Sequence, residues 1–130
     1  MSWSAWTMSE PKRAELQPAE PPADVFDRAH LRHYTMNIAE LEAEIVGLFL
    51  SQLPITLKML DDAEVQADWK LAAHTLKGAA ASIGAPRIHA LAVKAEAWAI
   101  GDDAAHRKLL LAEIAEAAGE FRRAVLPLYP

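Results

Sequence analysis

Apolar and polar positions along this chain repeat with the period of an α-helix through four long stretches. In the first, Ile38, Leu41, Ile45, Leu48, Phe49, Gln52, Thr56, Met59, Leu60 and Ala63 fall on one stripe at helical spacing. Pro54 lies inside this stretch, yet the stripe keeps its phase across the proline, which predicts one kinked helix rather than two. Asp68 is placed to cap a second helix from Trp69 to about Ile83, with Trp69, Ala72, Ala73, Leu76, Ala80 and Ile83 toward the core and Gly84 and Pro86 closing it. A third runs from about Pro86 to Ile100 on a stripe of Ile88, Leu91, Ala92, Ala95, Trp98 and Ala99. Asp102 or Asp103 caps a fourth, which buries Leu110, Ile114, Ala117, Phe121 and Ala124 or Val125 and stops near Leu126, before Pro127.

A shorter helix precedes these, from an Asp24 cap to about Tyr34, with Val25, Phe26, Ala29 and His33 inward. The connections are a few residues long, which makes successive helices antiparallel neighbours. The expected fold is therefore all-α: an antiparallel up-down four-helix bundle with a short extra N-terminal helix. Residues Met1 to Ala23 hold Pro11, Pro18, Pro21 and Pro22 and show no apolar periodicity, so they read as a flexible, disordered tail ahead of a bundle over Asp24 to Pro130. Trp3 and Trp6 stand in that tail. Trp69, Trp98, Met36 and Met59 read as packing residues.

Composition narrows the function. Alanine and leucine are abundant and strand formers sparse. The formal net charge of −5 argues against a nucleic-acid binder, which would carry a basic face. There is no cysteine, hence no disulfide or thiolate metal site. No uninterrupted apolar run approaches the roughly 20 residues that span a bilayer, and Met1 to Met8 has no signal-peptide pattern, so a cytoplasmic protein without membrane attachment is expected. Polar outer faces suggest a monomer. The five glycines are scattered and form no Gly-x-x-x-x-Gly-Lys loop, so the chain is expected to bind no nucleotide and to be no nucleotide-dependent enzyme.

The second long helix carries the candidate chemistry. At about 100° per residue, His74 falls opposite its core stripe, with Gly78 and Ala81 one and two turns further on and Lys70 and Lys77 at i−4 and i+3. Glycine inside a helix costs up to about 1 kcal/mol against alanine, and on an outer face core packing does not call for it. A bare patch beside an outward histidine suggests that something large approaches there. Neutral imidazole is a nucleophile near pH 7, and flanking ammonium groups stabilise a phosphoryl group. Attack on phosphorus gives a phosphoramidate that passes readily to a carboxylate, and the helix need only hold the ring outward with Nε2 accessible. Ser82, two turns beyond His74, is within reach of a partner. His30 and His33 stand at i, i+3, but no third ligand has matching spacing, so no metal site is expected.

The run Ala73-His74-Thr75-Leu76-Lys77-Gly78-Ala79, continuing to Ile83-Gly84-Ala85, resembles the signature of the histidine phosphotransfer (HPt) family. Asp68-Trp69 and Ala95-Glu96 also resemble family positions, and the likeness extends over about Asp24 to Val125. The resemblance implies that His74 is phosphorylated, that Lys77 contacts the phosphoryl group and that Gly78 leaves room for a docked receiver domain. It implies a phosphorelay intermediate that exchanges phosphate with the aspartate of a response-regulator receiver or takes it from a histidine kinase. The chain would need no cofactor of its own, Mg²⁺ arriving with the receiver. Ala95 departs from the leucine often found there. Glu96 faces sideways toward the site helix and puts an acid, which would repel phosphate, where some members carry glutamine near the phosphohistidine. The competing reading is a helical module that binds a receiver or kinase without accepting phosphate, which an intact His74 disfavours.

Overall fold

The computed structural model describes residues 20–101 and 103–130. Among them are five α-helices and no strand: α1 (Arg28–Tyr34), α2 (Ala39–Asp62), α3 (Gln66–Ile83), α4 (Pro86–Ala97) and α5 (Ala104–Val125), followed by a 3₁₀ turn at Leu126–Leu128. The all-α expectation holds. Helix α3 packs on α2 and α4, α5 packs on α2 and α4, and α1 touches α3.

The helices begin and end for local reasons. Asp27, not Asp24, caps α1, its Oδ1 accepting from His30 N–H at 3.2 Å. Asp24 instead pairs with Arg87, and its carbonyl accepts from Arg87 N–H at 3.0 Å. Val25 and Phe26 are buried as expected, but Ala29 and His33 are exposed, and Leu31 supplies the inward side chain of α1. Residues 20–23 of the expected tail are engaged: Glu20 pairs with Arg28 at 3.2 Å, and the Pro22 carbonyl accepts from Val25 and Phe26. The tail reading of residues 1–19, Trp3 and Trp6 included, lies outside the described residues.

Helix α2 is unbroken through Pro54. Its buried face is Glu42, Val46, Phe49, Leu53, Thr56 and Leu60. Of the expected stripe, Phe49, Thr56, Leu60 and Ala63 are buried and Leu41 and Ile45 half-buried, but Ile38, Leu48, Gln52 and Met59 are exposed, and Val46 and Leu53 take core places that the stripe did not give them. Apolar residues surround this helix, so hydropathy alone fixes its phase poorly. By length and composition it would even suffice to cross a membrane, with a mean hydropathy of 1.4 over 18 residues, although no single run is uninterrupted. Its C-terminal carbonyls are satisfied by Arg107, whose Nη2 donates to Leu60 O, Asp61 O and Ala63 O at 3.1, 3.1 and 2.7 Å. That guanidinium also lies 5.0 Å from the Trp69 ring centroid.

Helix α3 starts at Gln66 rather than behind an Asp68 cap; Asp68 lies in its first turn, where an acid suits the positive end of the helix dipole. Helix α4 ends at Ala97, three residues short of the expected Ile100, because the Gln66 side chain reaches across to take Trp98 O and Ile100 N. Ala99 is accordingly exposed. Asp103 caps α5, and Leu110, Ile114, Ala117, Phe121 and Val125 are buried as expected. Met36, expected to pack, is exposed beside Asn37 in a turn where both residues have left-handed backbone.

Phe26, Phe49 and Phe121 meet edge to face at 5.2–5.5 Å at the centre of the core. A polar cluster closes its margin. Glu42 is nearly fully buried on α2 and accepts from Arg28 Nε at 2.8 Å and from the Tyr129 hydroxyl.

Candidate functional site

The inner side of α3 is Trp69, Ala72, Ala73, Leu76, Ala80 and Ile83, the six residues its sequence assigns to the core. Three of these are alanines, which let α2 and α4 approach closely. Trp69 satisfies its indole N–H on Ala95 O of α4 at 2.6 Å, fixing α3 against α4. Gly84 ends the helix in left-handed conformation (φ 86°). The phase of α3 is thus locked from within, and the opposite side has to face out.

His74 is on that outer side with 67% of its side chain exposed. Its Nδ1 lies 3.2 Å from Glu96 Oε2 on α4. The same oxygen accepts from Lys77 Nζ at 2.9 Å. Glu96 thus joins two residues of α3 that are one turn apart. The Lys77 hydrogen bond, opposed by partial burial and aided by His74, holds its carboxyl below the usual carboxylate range. Lys70 is exposed and makes no ion pair among the described residues. Lys70 and Lys77 line a shallow depression with Val93, Glu96 and Ala97.

Gly78 and Ala81 are exposed, and a Cβ built on Gly78 would meet nothing within 4 Å. Nothing inside this chain calls for glycine there. Ser82 is exposed and its hydroxyl donates to Gly78 O at 3.0 Å, so its donor is already engaged. His30 and His33 are exposed on α1, and among the described residues no three histidine, aspartate or glutamate side chains gather as a metal site.

Two features escaped the sequence. Glu96, read as an acid that would repel phosphate, is partnered by Lys77 and sits at the Nδ1 edge of the ring. Its place toward the site helix was expected, whereas its ion pair with Lys77 was not, since that depends on how α4 packs on α3. The second is an apolar groove of about 420 Å³ between α2 and α3, lined by Ile55, Met59 and Leu71 with Lys58, Asp62 and Asp68 at its rim. Leu71, three residues before His74 and off the core stripe, was the legible sign of it.

In comparison with protein families, the model of the Hpt domain matches residues 36–124. The chain belongs to the Hpt domain family. The matched region takes in nearly all of α2 to α5 and contains His74, Lys77, Gly78 and Glu96; α1 precedes it. No curated protein and no solved structure matches the sequence. Hpt domains are phosphotransfer modules of two-component signalling, not enzymes in the ordinary sense, and they interact with histidine kinases and response regulators.

Proposed function

We propose that this Hpt domain is a phosphorelay intermediate that carries a phosphoryl group on His74, exchanging it with the aspartate of a receiver domain or taking it from a histidine kinase. The observation that carries the reading is the exposed imidazole on the outer face of α3, tethered through one nitrogen and flanked by Lys70 and Lys77. A nucleophile held outward, with cations beside it and a bare helix face next to it, is suited to in-line transfer between two proteins.

The contacts among α2 to α5 support an antiparallel up-down four-helix bundle as the frame, with α1 as an added N-terminal element. The groups around His74 are two ammonium groups and one carboxylate already bound by a lysine, which fits a phosphoryl group better than a divalent cation. Mg²⁺ would accordingly come with the receiver. We assign the receiver's footprint to the bare patch of Gly78, Ala81 and Ser82 and the adjoining groove of Ile55, Met59 and Leu71. The protein acts in this reading as a cytoplasmic monomer, its apolar outer strip reserved for the partner.

The test is transfer from phosphorylated receivers and kinases to the wild type and to His74→Gln. Acid-labile, base-stable label that vanishes in the variant is expected. Label retained by His74→Gln would overturn the assignment of His74. Binding without label would replace it by a non-catalytic interaction module.

A further inference from the structure

Helix α2 carries two stripes, and its own bundle uses only one of them. Leu41, Ile45, Leu48, Gln52, Ile55 and Met59 follow one another at alternating spacings of four and three residues, the a and d places of a heptad seam. At about 100° per residue this seam lies about 90° round the helix from the buried face. Leu48, Ile55 and Met59 are 62%, 54% and 42% exposed, Gln52 is exposed, and Leu41 and Ile45 are half-buried. The seam runs for about 27 Å along an unbroken helix, with Pro54 off to one side. Ile55 and Met59 line the groove beside Leu71, while Leu41, Ile45 and Leu48 extend beyond it. A four-three seam is matched by a second helix with the same repeat, because each side chain enters a hole between four of the partner's.

The seam is complementary to itself in the antiparallel sense. About a two-fold axis near residue 50, Leu41 meets Met59 of the second copy, Ile45 meets Ile55 and Leu48 meets Gln52, so every seam residue is used in both copies. Gln52, the one polar residue of the seam, sets the register at some cost in stability. In the same register Glu44 comes beside Lys58 of the second copy. Glu44 is exposed and makes no ion pair among the described residues, and Lys58 is exposed with Asp62 as its only salt-bridge partner among them. A parallel pair would offer neither an opposite charge, because the flank that supplies it holds Phe49 and Thr56, both buried in the bundle. We infer that two copies of this chain pair antiparallel through the outer seam of α2, and that this pair is the resting form of the protein. Ile55 and Met59 also belong to the footprint assigned to the receiver, so pairing and docking exclude one another; this exclusion alone rests on the reading of His74 as phosphoryl acceptor. The transferring species remains the monomer. With one helix from each copy the interface is at the small end of specific ones, and the pairing is reversible.

Sedimentation equilibrium of the full chain from about 1 μM to about 1 mM reads the pair directly. A monomer–dimer equilibrium with its midpoint inside that range is expected. Leu48→Lys should push the midpoint beyond it while leaving the unfolding midpoint at about 1 μM protein unchanged, because Leu48 lies outside the core. Glu44→Lys and Lys58→Glu should each weaken the pair several-fold. The double variant should recover it, and so should an equimolar mixture of the two single variants, since each then supplies the charge the other lacks. The chain has no cysteine, so Ser51→Cys, close to the axis, should cross-link to a second copy under mild oxidation. Glu44→Cys should not cross-link to itself, the two positions being about 20 Å apart along the pair. A wild type that stays monomeric to about 1 mM overturns the inference and leaves the seam to the receiver alone. A dimer untouched by Leu48→Lys overturns it as well, and a charge mixture that fails to recover or Glu44→Cys linking to itself overturns the antiparallel register. The receiver identified by transfer should turn the dimer into one-to-one complexes; a receiver seated on an intact dimer overturns the exclusion. Absence of label on His74 from every donor overturns the parent reading and the exclusion with it, while the pair is decided by sedimentation.

Discussion

Gly84 and Asp27 meet backbone to backbone. The Asp27 N–H donates to Gly84 O at 2.7 Å, and a Cβ on Gly84 would come within 2.7 Å of Asp27 O. Gly84 also has φ 86°, so glycine is required there twice over, by conformation and by space. The contact joins the start of α1 to the end of the helix that carries His74. Gly84→Ala is expected to destabilise the fold by about 2–4 kcal/mol, from left-handed strain plus displacement of a rigid backbone. Urea unfolding checks it, and a change below about 1 kcal/mol would mean that α1 yields freely.

Gly78 presents the opposite case. Its surroundings are open, so the missing side chain serves nothing within the chain. Gly78→Ala should stabilise α3 by about 0.5–1 kcal/mol through helix propensity alone. Gly78→Gln should also raise the unfolding midpoint, yet slow transfer from a receiver at least tenfold and labelling by a small donor much less. Equal slowing for both donors would place the effect on His74 itself and not on docking.

The outer face of α3 was legible because its inner face is nearly unambiguous: Trp69, Leu76 and Ile83 are the large apolar residues on one side, and apart from Leu71 the rest are alanine, polar or glycine. Helix α2 was not legible in the same way. Leu48, Ile55 and Met59 look as ready for the core as Val46, Leu53 and Leu60, and the true phase puts an acid, Glu42, inside. A hydropathy pattern scores that residue as outward, because its partners come from distant chain, Arg28 fourteen residues before and Tyr129 eighty-seven after. The same holds for Glu96, whose meaning depends on a contact twenty-two residues from His74. Helical phase can be read locally, whereas charge pairing across helices cannot.

The Glu42 cluster predicts a pH dependence. Burial raises the Glu42 carboxyl, but hydrogen bonds from Arg28 and Tyr129 outweigh it and leave the group below the usual 4.5. A folded-state value below the unfolded one means stability that is present above about pH 4.5 and lost as pH falls through the folded value. Tyr129 is raised, by burial first and the Glu42 carboxylate next, so its contribution is present below pH 10 and fades in stronger alkali. Glu42→Gln should cost about 2–3 kcal/mol at pH 7, less than the about 3–5 of a fully buried pair because Arg28 keeps some solvent contact. That deficit should shrink as both proteins are titrated below pH 4.5. A deficit constant from pH 7 to pH 3, measured by urea unfolding, would remove the charge from the explanation.

The groove between α2 and α3 predicts which flank of His74 the receiver covers. On the α4 flank stand Lys70, Lys77 and Glu96; on the α2 flank stand Ile55, Met59 and Leu71, largely exposed and apolar. Apolar surface gains by being covered, while the charged flank is already satisfied by its ion pair and by water. Ile55→Lys and Leu71→Lys should therefore weaken receiver binding at least tenfold. They should shift stability by no more than about 0.5 kcal/mol, since neither side chain is in the core. Leu109→Lys on α5 is the control, because Leu109 is equally exposed and lines a depression with Trp98 and His106 instead. Titration calorimetry with the receiver identified by transfer separates the outcomes. Loss at Ile55 and Leu71 but not at Leu109 places the partner over the α2 flank; equal loss at all three would mean that added positive charge, and not the apolar groove, is what the receiver senses.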